Sequence, residues 1–144
     1  MGLEAWQKLQ PTIDRLAQSD FSRLTPQEQV VWLVWGYPAA VNDGGHASFF
    51  YNSYGEAAHE TVDALAEIGA TQYARILDRA IDLFAGRNVP RDIDRRNDAL
   101  ARLPESADDE MGDLDDEFFA LGDDQLMELL SVYWESFGSI EVHQ

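Results

Sequence analysis

Carboxylates are the reactive groups this chain holds in quantity, and they crowd together. Residues 105–118 read ESADDEMGDLDDEF, eight acids with no base among them. One chemistry for such a run is a calcium loop. With Gly112 set on the glycine of an EF-hand loop, however, Ala107 and Met111 fall where oxygen ligands are required, so that template fails. Glu56-x-x-His59 has the spacing of a helix-borne carboxylate–histidine iron pair. A di-iron bundle needs two such motifs and two further Glu on other helices, and there is one copy. The absence of cysteine excludes disulfides, thiol catalysis and thiolate metal sites. No Ser-His-Asp order, glycine-rich phosphate loop or HExxH occurs. His46 reads as a packing or capping residue in a glycine turn, His59 as a helix-face residue and His143 as part of the tail. No spacing singles out an Asp/Glu pair for general acid–base work. The expectation is therefore a chain with no catalytic residue, cofactor or metal.

The remaining use of the run is to present negative charge. The formal net charge is −17. Residues 1–103 hold 14 acids and 10 bases, a net of −4, whereas residues 104–144 hold 13 acids and no base. A second gap without Lys or Arg runs from Arg23 to Arg75 and contains six acids. Such a molecule repels nucleic acid and anionic membrane and attracts basic surfaces. Adaptation to salt is the competing account, and one Lys against nine Arg with sixteen Asp fits it. That account expects acids on every face, whereas the near-balance of the first 103 residues argues for concentration.

Helices must carry these groups, because the hydrophobic spacing is helical almost throughout. Leu3, Trp6, Leu9, Ile13 and Leu16 form one stripe. Thr25-Pro26-Gln27-Glu28 supplies an N-cap, a proline at the first helical position and a capping-box Glu. The run Val30 to Trp35 predicts a helix buried on most sides, ended by Asn42-Asp43-Gly44-Gly45. The segment HASFFYNSY leads to Gly55 and a helix with Val62, Leu65 and Ile68 inward. Gly69 stops it, and Thr71 is placed to cap the next, which carries Tyr73, Ala74, Leu77, Ala80, Ile81 and Phe84. Arg87 to Arg102 mixes both signs, with Ile93, Leu100 and Leu103 as anchors. Arg95 and Arg96 there are assigned to ion pairs or, alternatively, to a dimer contact. Pro104 to Gly112 reads as a polar loop, followed by a short helix with Leu114, Phe118, Phe119 and Leu121 broken at Gly122. A last helix from near Asp123 buries Leu126, Leu129, Leu130, Tyr133, Trp134 and Phe137. The aromatic run Phe49-Phe50-Tyr51, with Trp32, Trp35 and Trp134, is assigned to the core. The predicted fold is one all-α domain over residues 1–144, a compact helical bundle of about six to eight helices. No apolar run reaches the roughly 20 residues of a membrane span. The N-terminus lacks the apolar stretch of a secretory signal, and Trp6 stands where N-myristoylation wants Ser or Thr. A cytoplasmic protein is expected.

VNDGGHASFFYNSYG, ALAEIGATQYARILDRAIDLF, LDDEFFAL and LLSVYW, in that order, resemble the bacterial DNA-mimic protein family over roughly residues 28–135. Asn42, Gly44, Gly45, Phe50, Asn52, Gly55, Ile68, Gly69 and Ala70 occupy the places of its motif, as do Leu114, Asp115 and Phe118. The chain departs from the family at His46, where Phe is usual, and at Ser48, where Gln is common. The resemblance implies an all-α fold, a homodimer, no catalytic residues, and an acidic surface that occupies a DNA-binding regulator. The motif itself consists of turn and packing residues, so function rests on the acids. The surface expected to meet a basic partner comprises Glu105, Asp108, Asp109, Glu110, Asp113, Asp115, Asp116, Glu117, Asp123, Asp124 and Glu128. A protein that neutralises a basic toxin or nuclease would use the same charge logic.

Overall fold

The computed structural model describes residues 2–142; His143 and the side chains of Leu3 and Trp6 lie outside the described residues. Seven α-helices and no strand occur among those residues. They are α1 (Gly2–Leu16), α2 (Pro26–Tyr51), α3 (Ala58–Glu67), α4 (Thr71–Ile81), α5 (Ile93–Ala101), α6 (Glu105–Leu121) and α7 (Asp124–Val142). Short 3₁₀ turns at Phe21–Arg23, Ser53–Ala57 and Ala85–Arg87 join some of them.

Helix α2 is the hub, touching α1, α3, α5, α6 and α7. Its sequence explains why. Val31, Val34, Tyr37 and Val41 are fully buried along one side and Leu33, Trp35 and Ala40 along others, so the helix is apolar around most of its girth. The capping box forms as predicted: Thr25 Oγ1 accepts from Glu28 N, and Glu28 Oε1 accepts from Thr25 N at 2.9 Å. The break at Gly44–Gly45 also forms, but the chain re-enters helix after it, so Phe49 and Phe50 are buried on a helical turn while Tyr51 is exposed. Gly45 has φ +77°, a conformation that glycine adopts without a Cβ penalty.

Three expectations need correction. Pro104 to Gly112 is no loop: α6 runs unbroken from Glu105, because Ala107, Met111, Leu114 and Phe118 recur at four, three and four and all are buried. The acids and Gly112 hide that stripe by composition. Thr71 does not cap α4; Ala70 occupies that position with no side-chain bond. Ile93 is no anchor, being 44% exposed at the start of α5. Gly69, by contrast, ends α3 with φ +84°, and the following Ala70 N–H reaches back to Leu65 O at 2.8 Å.

A candidate acidic interaction surface

Because one stripe of α6 faces the core, the opposite side must face water. On a helix with 3.6 residues per turn, Glu105, Asp109 and Asp116 project away from the buried stripe, with Gly112 and Asp113 between them. All four acids are exposed. On one flank Glu110 and Glu117 turn toward α4, and Glu117 accepts from Arg79 at 2.8 Å. Between these helices lies a groove of about 340 Å³, walled by Arg75, Arg79 and Glu117 over Ile76, Ala120 and Leu121. On the other flank Asp115 turns toward α2.

The eleven acids singled out from sequence thus divide. Asp115 is a pin of the interior. Its Oδ1 accepts from the His46 backbone N–H at 2.8 Å and from His46 Nδ1 at 2.6 Å. A carboxylate oxygen accepts, so His46 Nδ1 donates to Asp115, while His46 Nε2 is paired with the Tyr37 hydroxyl at 2.7 Å. Burial, and then the Asp115 charge, push the Tyr37 hydroxyl well above the usual tyrosine range, so it keeps its proton. His46 is fully buried and ringed by Tyr37 and Phe118. Asp123 is also engaged, accepting from Asn42 Nδ2 at 2.7 Å and tying α2 to the start of α7. Glu117 is engaged by Arg79. Glu105, Asp108, Asp109, Glu110, Asp113, Asp116, Asp124 and Glu128 are exposed, with no ion-pair partner among the described residues.

The helix boundary changes their energetics. Asp113 and Asp115 would sit in a favourable first turn if a helix began near residue 113. With α6 starting at Glu105, they are mid-helix and gain nothing from the N-terminal dipole; Glu105, Asp108 and Asp124 do. No base occupies the last turn of α6, where one would be stabilising. Asp113 is the most burdened acid. Asp109 and Glu117 lie four residues away and Glu110 and Asp116 three, all of like charge.

The remaining sequence candidates resolve into structure. Glu56 lies in the 3₁₀ turn Ser53–Ala57 and His59 on α3, so they share no helix face; His59 Nε2 donates to Arg87 O at 3.1 Å. Among the described residues no three of His, Asp and Glu gather to hold a metal ion, and no helix is long and apolar enough to cross a membrane. The glycine–asparagine motif surrounds two buried pins. Gly45 lies against Asp115, where an added Cβ would sit 2.3 Å from Oδ2. Asn52 caps the next turn, its Oδ1 accepting from Tyr54 N, and its Nδ2 donates to Ser48 O. Gly55 leaves room for Arg96, whose Nε would meet an added Cβ at 2.7 Å.

Arg96 was the residue sequence reasoning misplaced most. It is 1% exposed and makes no ion pair among the described residues. Its guanidinium donates to four backbone carbonyls: Phe50 at 2.6 Å, Asn52 at 2.8 Å, Arg91 at 2.9 Å and Pro90 at 3.0 Å. Two of these, Phe50 and Asn52, close the negative end of α2, where a cation is favoured. Burial draws the Arg96 pKa down from the usual arginine range. The signal was available in the motif, since Asn52-x-x-Gly55 builds the carbonyl cage and the slot beside it. Trp35 is buried and Tyr54 partly so, the latter packed over Gly36.

Comparison with known proteins agrees with the resemblance that the residues carry. A family model described as DMP19-like protein matches residues 22–136. The searches of curated proteins and of solved structures returned no significant match. The matched span takes in α2 to α6 and most of α7, with both buried pins and the acidic helix inside it, and the family is one for which a DNA-mimic role is suggested. The chain belongs to the DMP19-like (DNA mimic protein 19-like) family.

Proposed function

We propose that residues 1–144 act as one domain and as a non-enzymatic interaction protein of the cytoplasm. The outer face of α6 substitutes for a DNA backbone and occupies a basic DNA-binding partner such as a transcriptional regulator. The observation that carries this reading is the row Glu105, Asp109, Asp113 and Asp116, exposed and without ion-pair partners among the described residues, on an unbroken helix. A rise of 1.5 Å per residue separates successive members by about 4.5–6 Å along the axis. One DNA strand offers a phosphate per ~3.4 Å of axis, so the densities are of the same order. The row destabilises its own helix by about 0.2–0.5 kcal/mol per like pair. A single interleaved Lys would relieve it. A cationic partner accounts for its retention, as it would speed encounter and select the complex. A homodimer would double the face.

Capture of partners from a lysate, at low and at high salt, tests the proposal with the triple variant Asp109→Lys, Asp113→Lys, Asp116→Lys. The expected result is a DNA-binding protein retained by the wild type at low salt, released at high salt, displaced by duplex DNA and lost with the variant. Binding indifferent to salt, or a partner kept by the variant, overturns it. Asp115 is left out of the variant because its loss would unpin His46, and Glu117 because it serves Arg79. Sedimentation of the same sample reads the oligomeric state.

A further inference from the structure

A second site lies away from α6, and none of its lining belongs to the acidic helix. Between the Phe21–Arg23 turn, the first turns of α2, the Ser53–Ala57 turn and α3 is a cleft of about 370 Å³, within the size range of ligand pockets. Its apolar walls are aromatic. Trp32 and Tyr54 stand with ring centroids 6.5 Å apart and tilted by 40°, and Phe21 is 39% exposed at the rim. Gln29 Nε2 holds the Phe21 carbonyl, at 3.1 Å, and so fixes that rim to α2. The charged groups of the lining are Glu56, Glu60 and Arg91.

These charges do not cancel. Arg91 Nη2 donates to Glu60 Oε2 at 2.5 Å, and its Nη1 donates to the Glu56 backbone carbonyl. The Glu56 carboxylate is exposed and has no ion-pair partner among the described residues. The other Glu60 oxygen, Oε1, is shielded and has no hydrogen-bond partner among the described residues. Although burial works to raise it, the Arg91 hydrogen bond holds the Glu60 pKa below the ordinary carboxylate value, so the group is ionised at neutral pH. One negative charge is left over. Apart from Arg91, every residue of the lining except Phe21 comes from the stretch between Arg23 and Arg75 that contains no Lys or Arg.

Aromatic faces beside an unsatisfied carboxylate are complementary to a flat cation with several N–H donors. A guanidinium stacks on Trp and Tyr faces and can donate to Glu56 and, after a small turn of the carboxyl, to Glu60 Oε1. An ammonium stacks less well, and an uncharged amide leaves the surplus charge in place. We propose that this cleft binds the guanidinium of an arginine presented by a polypeptide partner, with Trp32 and Tyr54 as the stacking wall and Glu56 and Glu60 as acceptors. The site stands independently of the proposal for α6. Each can fail without the other.

The test is a titration of the isotopically labelled full-length chain with a capped Gly-Arg-Gly peptide, followed by NMR. The Trp32 indole N–H signal, assigned with Trp32→Phe, is the reporter. The arginine peptide is expected to shift it saturably at millimolar concentration, the Gly-Lys-Gly peptide several-fold more weakly, and the Gly-Gln-Gly peptide not at all. Glu60→Gln is expected to weaken arginine binding about tenfold. Glu56→Gln, on an exposed side chain that leaves the Arg91 contact intact, gives the same direction should Glu60→Gln disturb folding. Asp113→Lys should change the affinity by less than a factor of two. Absence of a saturable shift overturns the proposal. So does equal binding of the glutamine peptide, which makes the cleft merely apolar. Loss of binding in Asp113→Lys overturns it too, because the attraction would then be the general field of the molecule.

Discussion

Asp115 and Asp116 are neighbours on α6 and belong to different regions of the molecule. Asp115 points to α2, 23% exposed at its side chain, and holds His46 through two hydrogen bonds accepted by one oxygen. Asp116 points to water and holds nothing among the described residues. The interior region that Asp115 serves is over-determined. Gly45 is shaped around the carboxylate, Tyr37 closes the relay, and Arg96 does for the other end of the aromatic turn what Asp115 does for its start. The outer face is under-determined, since packing would accept almost any polar residue there. A charge that the fold needs is surrounded by groups of fixed geometry. A charge that the fold merely tolerates is surrounded by its own kind.

The largest effect that would break this contrast is at Arg96. Arg96→Met keeps much of the volume and takes the guanidinium donors from four backbone carbonyls, of which Phe50 O is buried and the other three are partly buried, an unsatisfied group costing about 1–3 kcal/mol where water cannot reach it. We expect a loss of about 3 kcal/mol or more in urea denaturation. A loss below about 1 kcal/mol, no larger than an ordinary surface change, would show that the cage is not a pin. Next in size is the adjacent pair. Asp115→Asn replaces a charged acceptor by a neutral one and should cost about 1–3 kcal/mol. Asp116→Asn should be neutral or stabilising. Equal effects at the two positions would erase the distinction between the regions.

How far these regions were legible in the sequence follows from what each is made of. Helix spacing, the Thr25 capping box, the break at Gly45 and the stop at Gly69 are local patterns, and they came out where residue order put them, although helix resumes after Gly45. The acidity of residues 104–144 was legible by counting. The division within it was not, because it depends on which side of α6 meets α2, a tertiary fact. Asp115 carries the same letter as Asp116. Reading Pro104 to Gly112 as a loop concealed the helical register that separates them. Arg96 was hidden for a related reason, since an arginine amid alternating signs looks like a surface ion-pair residue until the carbonyls of residues 50 and 52 fold onto it.

A smaller effect sharpens the outer region. Gly112 lies on the exposed side of α6, and a Cβ added there meets nothing within 4 Å. Gly112→Ala should raise stability by about 1 kcal/mol through helix propensity alone, read as a higher denaturation midpoint with unchanged slope. It should leave partner capture intact, because no charge changes. A destabilised Gly112→Ala would mean that the backbone there serves packing, contrary to an outer face free of it.

The smallest expected effect says most about purpose. Asp113 has four carboxylates three or four residues away on the same helix, and neutralising it as Asp113→Asn relieves all four repulsions. At about 0.2–0.5 kcal/mol each at most, and fewer felt where Arg79 already draws on Glu117, the gain should be on the order of 0.5–1 kcal/mol at low salt. It should shrink as added salt brings the Debye length down to about 8 Å and below. The same substitution should weaken capture of a basic partner. A variant that is at once more stable and less able to bind would show that this face is kept at the expense of the fold, as a partner-facing surface requires. A variant that gains stability and binds unchanged would make the crowding on α6 a matter of salt adaptation, and the contrast with Asp115 would then be one of packing alone.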